Sequence, residues 1–313
     1  MFKLVLFAAL AAAPYQELCR LYDYDAKAPL EAREAGVTDR DGIKVHDVSF
    51  ATSTKGTFAA SSKGGRVTAY LLVPAGQGPF PAVLFMHGAG GPGAGRSIGS
   101  GLPFAKAGIA FLTIDGPYSG ARAAPGEQIW DPDKSALVNR DALIQTVIDL
   151  RRSVDFLISR PEVDGKRIGF AGGSYGAITG GVLAGVETRI KAYVLMSGPP
   201  SILDGQIPRI QSVAKQDGVA ALFDPVAPIH YVGHAAPAAL FFQFGRLDSG
   251  ITADAARHMH EAASDPKLVK WYDAGHTLNQ AAITDRVEWM KKELGVTPLN
   301  QAILDGLKTN NAR

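Results

Sequence analysis

The stretch RIGFAGGSYGAITG, residues 167 to 180, sets one serine among small residues where a short apolar strand pattern runs into a helix-like one. Within it, Gly172-Gly173-Ser174-Tyr175-Gly176 has the spacing Gly-x-Ser-x-Gly. A turn this tight leaves little room for neighbouring side chains, so glycines flank the serine and its hydroxyl is pushed out at the top of a sheet. The helix start beneath it adds exposed N–H groups and the positive end of a dipole. That arrangement suits a nucleophile. The alternative is packing, a glycine-rich crossover with an incidental serine.

A serine nucleophile needs a base and a group that orients the base. Both follow Ser174 in chain order, each just past an apolar strand pattern. AALFFQFG runs into RLDSG and puts Asp248 on a loop, and LVKWYDAG runs into His276 in DAGHTLN. Gly245, Gly250 and Gly275 let these loops turn. Three residue types in this order, each after a strand, are more specific than the serine motif alone. The negative oxygen of a tetrahedral intermediate needs backbone donors. FMHGAGG, residues 85 to 91, follows another apolar strand pattern. The N–H groups of Ala89 and Tyr175 are the candidate donors, with His87 holding the loop. No Lys-Ser or Lys-Thr follows these glycines, which argues against a phosphate loop.

The other candidates read more plainly. Asp273 lies too near His276 in sequence to orient its ring from outside. Asp254 suits the first turn of a helix. His258 and His260 face different sides of that helix and make a poor metal pair. His230 and His234 are surface or cap residues, and His46 is a solvated side chain on an edge strand. The single cysteine, Cys19, rules out an intrachain disulfide and reads as an inert thiol. Tyr118, Trp130 and Phe223 are candidate pocket aromatics. Asp115 and Arg122, in DGPYSGAR, either shape the rim or form an ion pair that fixes the loop. No metal or cofactor is called for.

These side chains need a scaffold. From residue 41 the chain alternates strand and helix patterns, as a parallel sheet with crossover helices does. Lys44–Ala51 and Arg66–Val73 alternate polar and apolar residues like antiparallel edge strands. Buried-type strands are expected at Ala82–Met86, Ile109–Ile114, Ile168–Ala171, Ala192–Met196, Ala238–Phe244 and Leu268–Tyr272. Helices are expected at Asp141–Ser159, Ala177–Val186, Thr252–Ala263 and Gln280–Leu294. The looser segment around 199–236 reads as a small cap. Residues 21–40 read as an N-terminal arm and 297–313 as a tail.

With 313 residues and 46 % apolar content, the chain can bury a sizeable core. Its 32 basic and 30 acidic residues leave a net charge of +2 and no electrostatic footprint for nucleic acid. Residues 1–20 have the layout of an export signal or leader. One Lys precedes an apolar run from Leu4 to Ala13, and Ala9 and Ala11 form a cleavage pair. The run is too short to span a bilayer. Export is the expectation, and a helix packed on the domain is the alternative.

PFPAVLFMHGAGG, FLTIDGPYSGAR, IGFAGGSYGA, FQFGRLD and YDAGHTLN together resemble the α/β-hydrolases, near their dienelactone hydrolase-like and acetyl-esterase branch. The likeness covers nearly all of residues 21 to 296. It implies an α/β fold with a mostly parallel, eight-stranded sheet flanked by helices. It also implies Ser174 as nucleophile, Asp248 as acid and His276 as base. Dienelactone hydrolases proper carry cysteine at the elbow, so the serine points to ordinary ester hydrolysis. The expected partner is a small-molecule or glycoside ester, cleaved through an acyl-enzyme. A lactone, an amide or a peptide is the alternative substrate. A non-catalytic binding protein on the same fold is the alternative of another class.

Overall fold

The computed structural model describes residues 14–55, 65–89, 93–131 and 133–296. The apolar run Leu4–Ala13, the loop glycines Gly90 and Gly91, and the 297–313 tail lie outside the described residues.

Nine strands form one sheet among the described residues: β1 (Arg33–Arg40), β2 (Ile43–Ala51), β3 (Arg66–Val73), β4 (Phe80–Met86), β5 (Ala110–Ile114), β6 (Val163–Gly173), β7 (Ile190–Met196), β8 (Ala239–Gly245) and β9 (Lys267–Tyr272). Their order is β1-β2-β3-β5-β4-β6-β7-β8-β9. The pairs from β1 to β2, β2 to β3 and β3 to β5 are antiparallel, and the rest are parallel. The expected count of eight is therefore one short. The extra strand, β1, lies in the stretch read as an arm. Every residue of β1 is exposed, so it carries no apolar alternation to reveal it. Its signal is the turn. Asp41 and Gly42 have φ of 56° and 82°, the positive pair that a two-residue hairpin turn requires.

Among the described residues the helices are α1 (Tyr15–Cys19), α2 (Ala94–Lys106), α3 (Ala136–Ser159), α4 (Tyr175–Val186), α5 (Pro208–Ala214), α6 (Val219–Phe223), α7 (Ala253–Ala262) and α8 (Gln280–Glu293). α2 has no counterpart among the expected helices, because its sequence AGRSIGSGLPFAK is rich in glycine and contains Pro103. The glycines serve packing. A Cβ at Gly101 would overlap the ring of Phe111 on β5. α3 starts where the Ser135 side chain accepts from the Val138 N–H, which is ordinary N-capping.

β4, β5, β7 and β8 are buried on both faces or nearly so, as crossover helices require. β9, expected as a buried strand, instead lies at the sheet edge and leaves alternate residues exposed. Leu18 and Tyr22 of the N-terminal turn belong to the core, and the Tyr15 ring stacks on His234 at 3.6 Å between centroids. Residues 15–22 are thus part of the folded body. The chain reverses its direction of travel across the sheet at β4, which lies between β5 and β6. A crevice opens beyond the C-terminal ends of strands at such a point, and ligands bind there.

Candidate active site

β6 ends at Gly173, α4 begins at Tyr175, and Ser174 alone makes the turn, with φ 54° and ψ −114°. A residue with a side chain pays a steric penalty at positive φ and holds it only where its surroundings leave no alternative. Those surroundings are backbone. A Cβ at Gly172 would overlap the Gly176 carbonyl, and one at Gly176 would overlap the Met86 carbonyl at the end of β4. The flanking glycines of the motif are a steric requirement of this junction. The Ser174 N–H donates to the Met196 carbonyl at 2.8 Å, and the Ser174 carbonyl accepts from Ala177 and Ile178 at 2.9 and 3.0 Å. The serine is half-buried, and its hydroxyl does not cap the helix.

Asp248 and His276 lie just past β8 and β9, whose last residues, Gly245 and Tyr272, are register partners. The pairing continues beyond the strands, with Arg246 N–H donating to Tyr272 and Leu247 N–H to Ala274 at 2.8 and 3.0 Å. Gly245 permits this approach, since a Cβ there would overlap the Ala274 and Gly275 carbonyls. His276 Nδ1 meets Asp248 Oδ2 at 2.8 Å. Asp248 Oδ1 accepts from the N–H groups of Gly250 and Ile251 at 2.7 and 3.2 Å. The carboxylate side chain is 2 % exposed and the imidazole 36 %. Burial opposes charge on Asp248, but the His276 bond and the two backbone N–H groups outweigh it and hold the carboxyl below the usual carboxylate range. An ionised carboxylate only accepts, so Nδ1 of His276 carries a proton, and it is Nε2 that bears the lone pair whenever the ring is neutral. Ser197 Oγ donates to the His276 carbonyl at 2.9 Å and steadies the loop.

The loop after β4 lies against the elbow. A Cβ at Gly88 would sit 3.6 Å from Ser174 Cβ, an ordinary contact. His87 is buried, and its Nδ1 meets the Gly88 carbonyl at 2.7 Å. That carbonyl accepts, so Nδ1 donates. Gly88 C=O and Ala89 N–H are opposite edges of one planar trans peptide, so fixing the first orients the second. His87 Nε2 meets Ser119 Oγ at 3.1 Å. Burial lowers the His87 pKa against the raising effects of the Gly88 bond and Asp115, so the ring is neutral at neutral pH.

Ser174, Tyr175, His276 and Ala89 all line one cavity of about 160 Å³. The structure thus brings the expected nucleophile, base and both oxyanion donors to a single opening, with Asp248 behind His276. Tyr175 N–H is among the first N–H groups of α4, which lack acceptors within a helix. The rest of the wall is mainly apolar, and most of it has no counterpart in the sequence reading. Ile178, Ile202, Ile207, Ile210 and Ile251 contribute, with Trp130. Three of these isoleucines lie in the loose 199–236 segment, where no regular period marks a buried face. Trp130 faces the cavity and packs edge-on against Phe223 at 5.6 Å, while Tyr118 sits elsewhere under Lys134.

Two other expectations change. Arg122 pairs with the buried carboxylate of Asp149 at 2.6 Å and donates to the backbone carbonyl of Asp115 at 2.9 Å. The Asp115 side chain instead accepts from Thr68 Oγ1 and Ala94 N–H, both at 2.6 Å, and from Ala121 N–H at 3.2 Å. It ties the start of α2 to the loop after β5. His46 is half-buried rather than solvated and meets Glu34 of β1 at 3.0 Å, a partner supplied by the strand not expected from the sequence. His230 meets Asp224 at 2.9 Å, and the exposed Asp273 pairs with Arg246, away from His276.

The arrangement matches solved structures over most of its length. An acetyl xylan esterase from Paenibacillus sp. R4 superposes with a TM-score of 0.69 at 18 % identity, over 89 % of this chain and 93 % of that one. Acetyl xylan esterase 1 from Thermoanaerobacterium sp. JW/SL YS485 does so with 0.70 at 15 % identity, over the same shares. A glucuronoyl esterase from Solibacter usitatus gives 0.60 at 13 % identity, over 90 % and 92 %. The chain has the α/β-hydrolase fold. Within that fold, residues 150–227 match the family described as BAAT / Acyl-CoA thioester hydrolase C terminal. Acyl-coenzyme A thioesterase 3 of Mus musculus is 26 % identical over 208 residues, which are 63 % of this chain and 42 % of that protein. The chain therefore spans less than half the length of this curated relative. The matched segment holds Ser174 and the first part of the cap, while Asp248 and His276 lie beyond it.

Proposed function

We propose that this α/β-hydrolase cleaves carboxylic esters through a serine acyl-enzyme, with Ser174 as nucleophile, His276 as general base and Asp248 as the group that orients it. One observation carries the reading. A strained, half-buried serine and a histidine held by a buried carboxylate open onto the same cavity.

Nε2 of His276 takes the Ser174 proton as Oγ attacks the ester carbonyl. The oxygen of the tetrahedral intermediate is held by the N–H groups of Ala89 and Tyr175, each contributing about 3 kcal/mol to the transition state. Asp248 stabilises the imidazolium. His276 then gives the proton to the leaving alcohol, and the acyl group stays on Ser174. A water that loses its proton to His276 attacks the acyl-enzyme, the acyl–Oγ bond breaks, and His276 returns that proton to Ser174 Oγ as the acid leaves.

Thioesters are a second reading, favoured by the match of residues 150–227 to acyl-CoA thioester hydrolases. Matched oxygen and sulfur esters of one acyl group separate the two. Replacing Ser174 with Ala is expected to lower kcat on a short p-nitrophenyl ester by about 10⁴-fold or more and to prevent labelling by a fluorophosphonate. Undiminished turnover in that variant would remove the serine from the reaction, whereas neither turnover nor labelling in the unaltered protein would leave a binding protein on the same fold. Export rests on the Leu4–Ala13 run, and its test is recovery of a C-terminally tagged chain outside the cytoplasm.

A further inference from the structure

We infer that the cap acts as a size gate for the acyl group, admitting an uncharged apolar acyl chain of up to about six carbons, and that Ile210 sets the limit together with Ile202 and Ile207. This inference rests on the ester-hydrolase reading above and names its substrate class.

The wall chemistry is the first argument. Apart from the reacting groups, the cavity is lined mostly by isoleucines and Trp130. A charged or strongly polar acyl group would lose its water there and find few partners, whereas an apolar one gains by burial. The volume is the second argument. About 160 Å³ is close to the space of an apolar cavity that takes up benzene, and it corresponds to about five water-sized groups.

The direction of the acyl group follows from the reaction. His276 must reach the leaving oxygen, so the leaving group lies on the side of His276. The acyl substituent points toward the elements that carry neither Asp248 nor His276. Those elements are α4 with Ile178, the segment with Trp130, and the cap with Ile202, Ile207 and Ile210. Ile178, Ile202 and Trp130 are buried and form the deep wall, while Ile207 is 44 % exposed and stands at the rim. Ile210 lies between them against Gly205, where a Cβ would come within 3.0 Å of its Cδ1.

The gate is tied down. Gln206 N–H donates to the Gly250 carbonyl at 2.8 Å, so the cap is fastened to the loop that carries Asp248. The Gln211 side chain donates to the Gly205 carbonyl at 2.9 Å and closes the turn around Ile207 and Ile210. A wall held at both ends cannot swing aside for a longer chain without breaking hydrogen bonds.

The test is a series of p-nitrophenyl esters from two to twelve acyl carbons on the full chain and on Ile210→Ala, with Ser174→Ala as blank. In the unaltered protein kcat/KM should rise to an optimum at four to six carbons and fall at least tenfold by ten. Ile210→Ala removes three carbons from the wall and should move the optimum up by about two or three carbons. Ile210→Val, which keeps most of the wall, should move it by one or none. A Ser174-dependent profile flat to twelve carbons would overturn the gate and leave the serine mechanism standing. So would an optimum unmoved in Ile210→Ala, or one that moves with the alcohol instead of the acyl chain. Hydrolysis equal to the Ser174→Ala blank at every length would overturn the serine reading, and the gate with it.

Discussion

The elbow and the cap face each other across one cavity and are built in opposite ways. At the elbow the constraint is backbone against backbone. Gly172 and Gly176 leave no space for a side chain, and Ser174 is held at a φ it would not choose. In the cap the elements are short, a seven-residue α5 and a five-residue α6 among three-residue 3₁₀ turns, and side chains define the cavity surface. Close packing of backbone is bistable at best and cannot drift, whereas a wall of aliphatic side chains changes volume with each substitution. On the proposed reading the reacting atoms are placed by the part of the molecule that tolerates least change, and substrate selection is left to the part that tolerates most.

That contrast can be broken or sharpened by measurement. The largest effect is expected at the acid. Asp248→Asn frees His276 to adopt the wrong tautomer and should lower kcat by about 10⁴-fold with KM little changed. A loss of tenfold or less would mean that the Asp248 contact is not needed to hold the base. Next comes the peptide that His87 pins. His87→Ala should lower kcat by about 10- to 100-fold while substrate binding is kept. His87→Asn, whose amide nitrogen sits where Nδ1 does, should recover most of that loss, and His87→Gln should not. Equal rates in all three variants would separate His87 from the orientation of the Ala89 N–H.

Two smaller effects concern stability. Ser174→Gly should abolish turnover yet raise unfolding stability by about 1 kcal/mol in a denaturant titration, because glycine adopts positive φ without the steric cost. A loss of stability would show that the elbow is not strained. The Asp248 carboxyl is depressed in the folded state, so its contribution is complete above the unfolded value of about 3.9 and is lost as pH falls through the depressed one. Comparing acid unfolding curves, the unaltered protein should lose stability more steeply below about pH 4 than Asp248→Asn. Parallel curves would contradict the pairing.

Much of the site was legible in the residues. A serine between glycines at a strand-to-helix junction has a steric explanation, and Asp248 and His276 stand at strand ends where loops meet over a sheet. The core strands were legible because burial on both faces demands runs such as AVLFM and ALFFQF. β1 and α2 were not, for opposite reasons. β1 buries none of its residues, so they carry no apolar alternation. α2 is built from glycines that suit close contact with Phe111 more than helix propensity. The partners of Arg122 and His46 were also hidden, since Asp149 and Glu34 come from elements far along the chain from one of them or not expected as strands.

By itself the sequence determined which candidate residues stand at the tight turn and the strand ends and the order in which the chain presents them, because tight turns and buried strands restrict residue type locally. Only the tertiary structure decided how the loops after β8 and β9 zip together to join Asp248 and His276. It also decided which peptide His87 orients and which isoleucines of an irregular cap close the cavity. These depend on contacts between segments that share no local pattern, and distance along the chain does not encode distance in space.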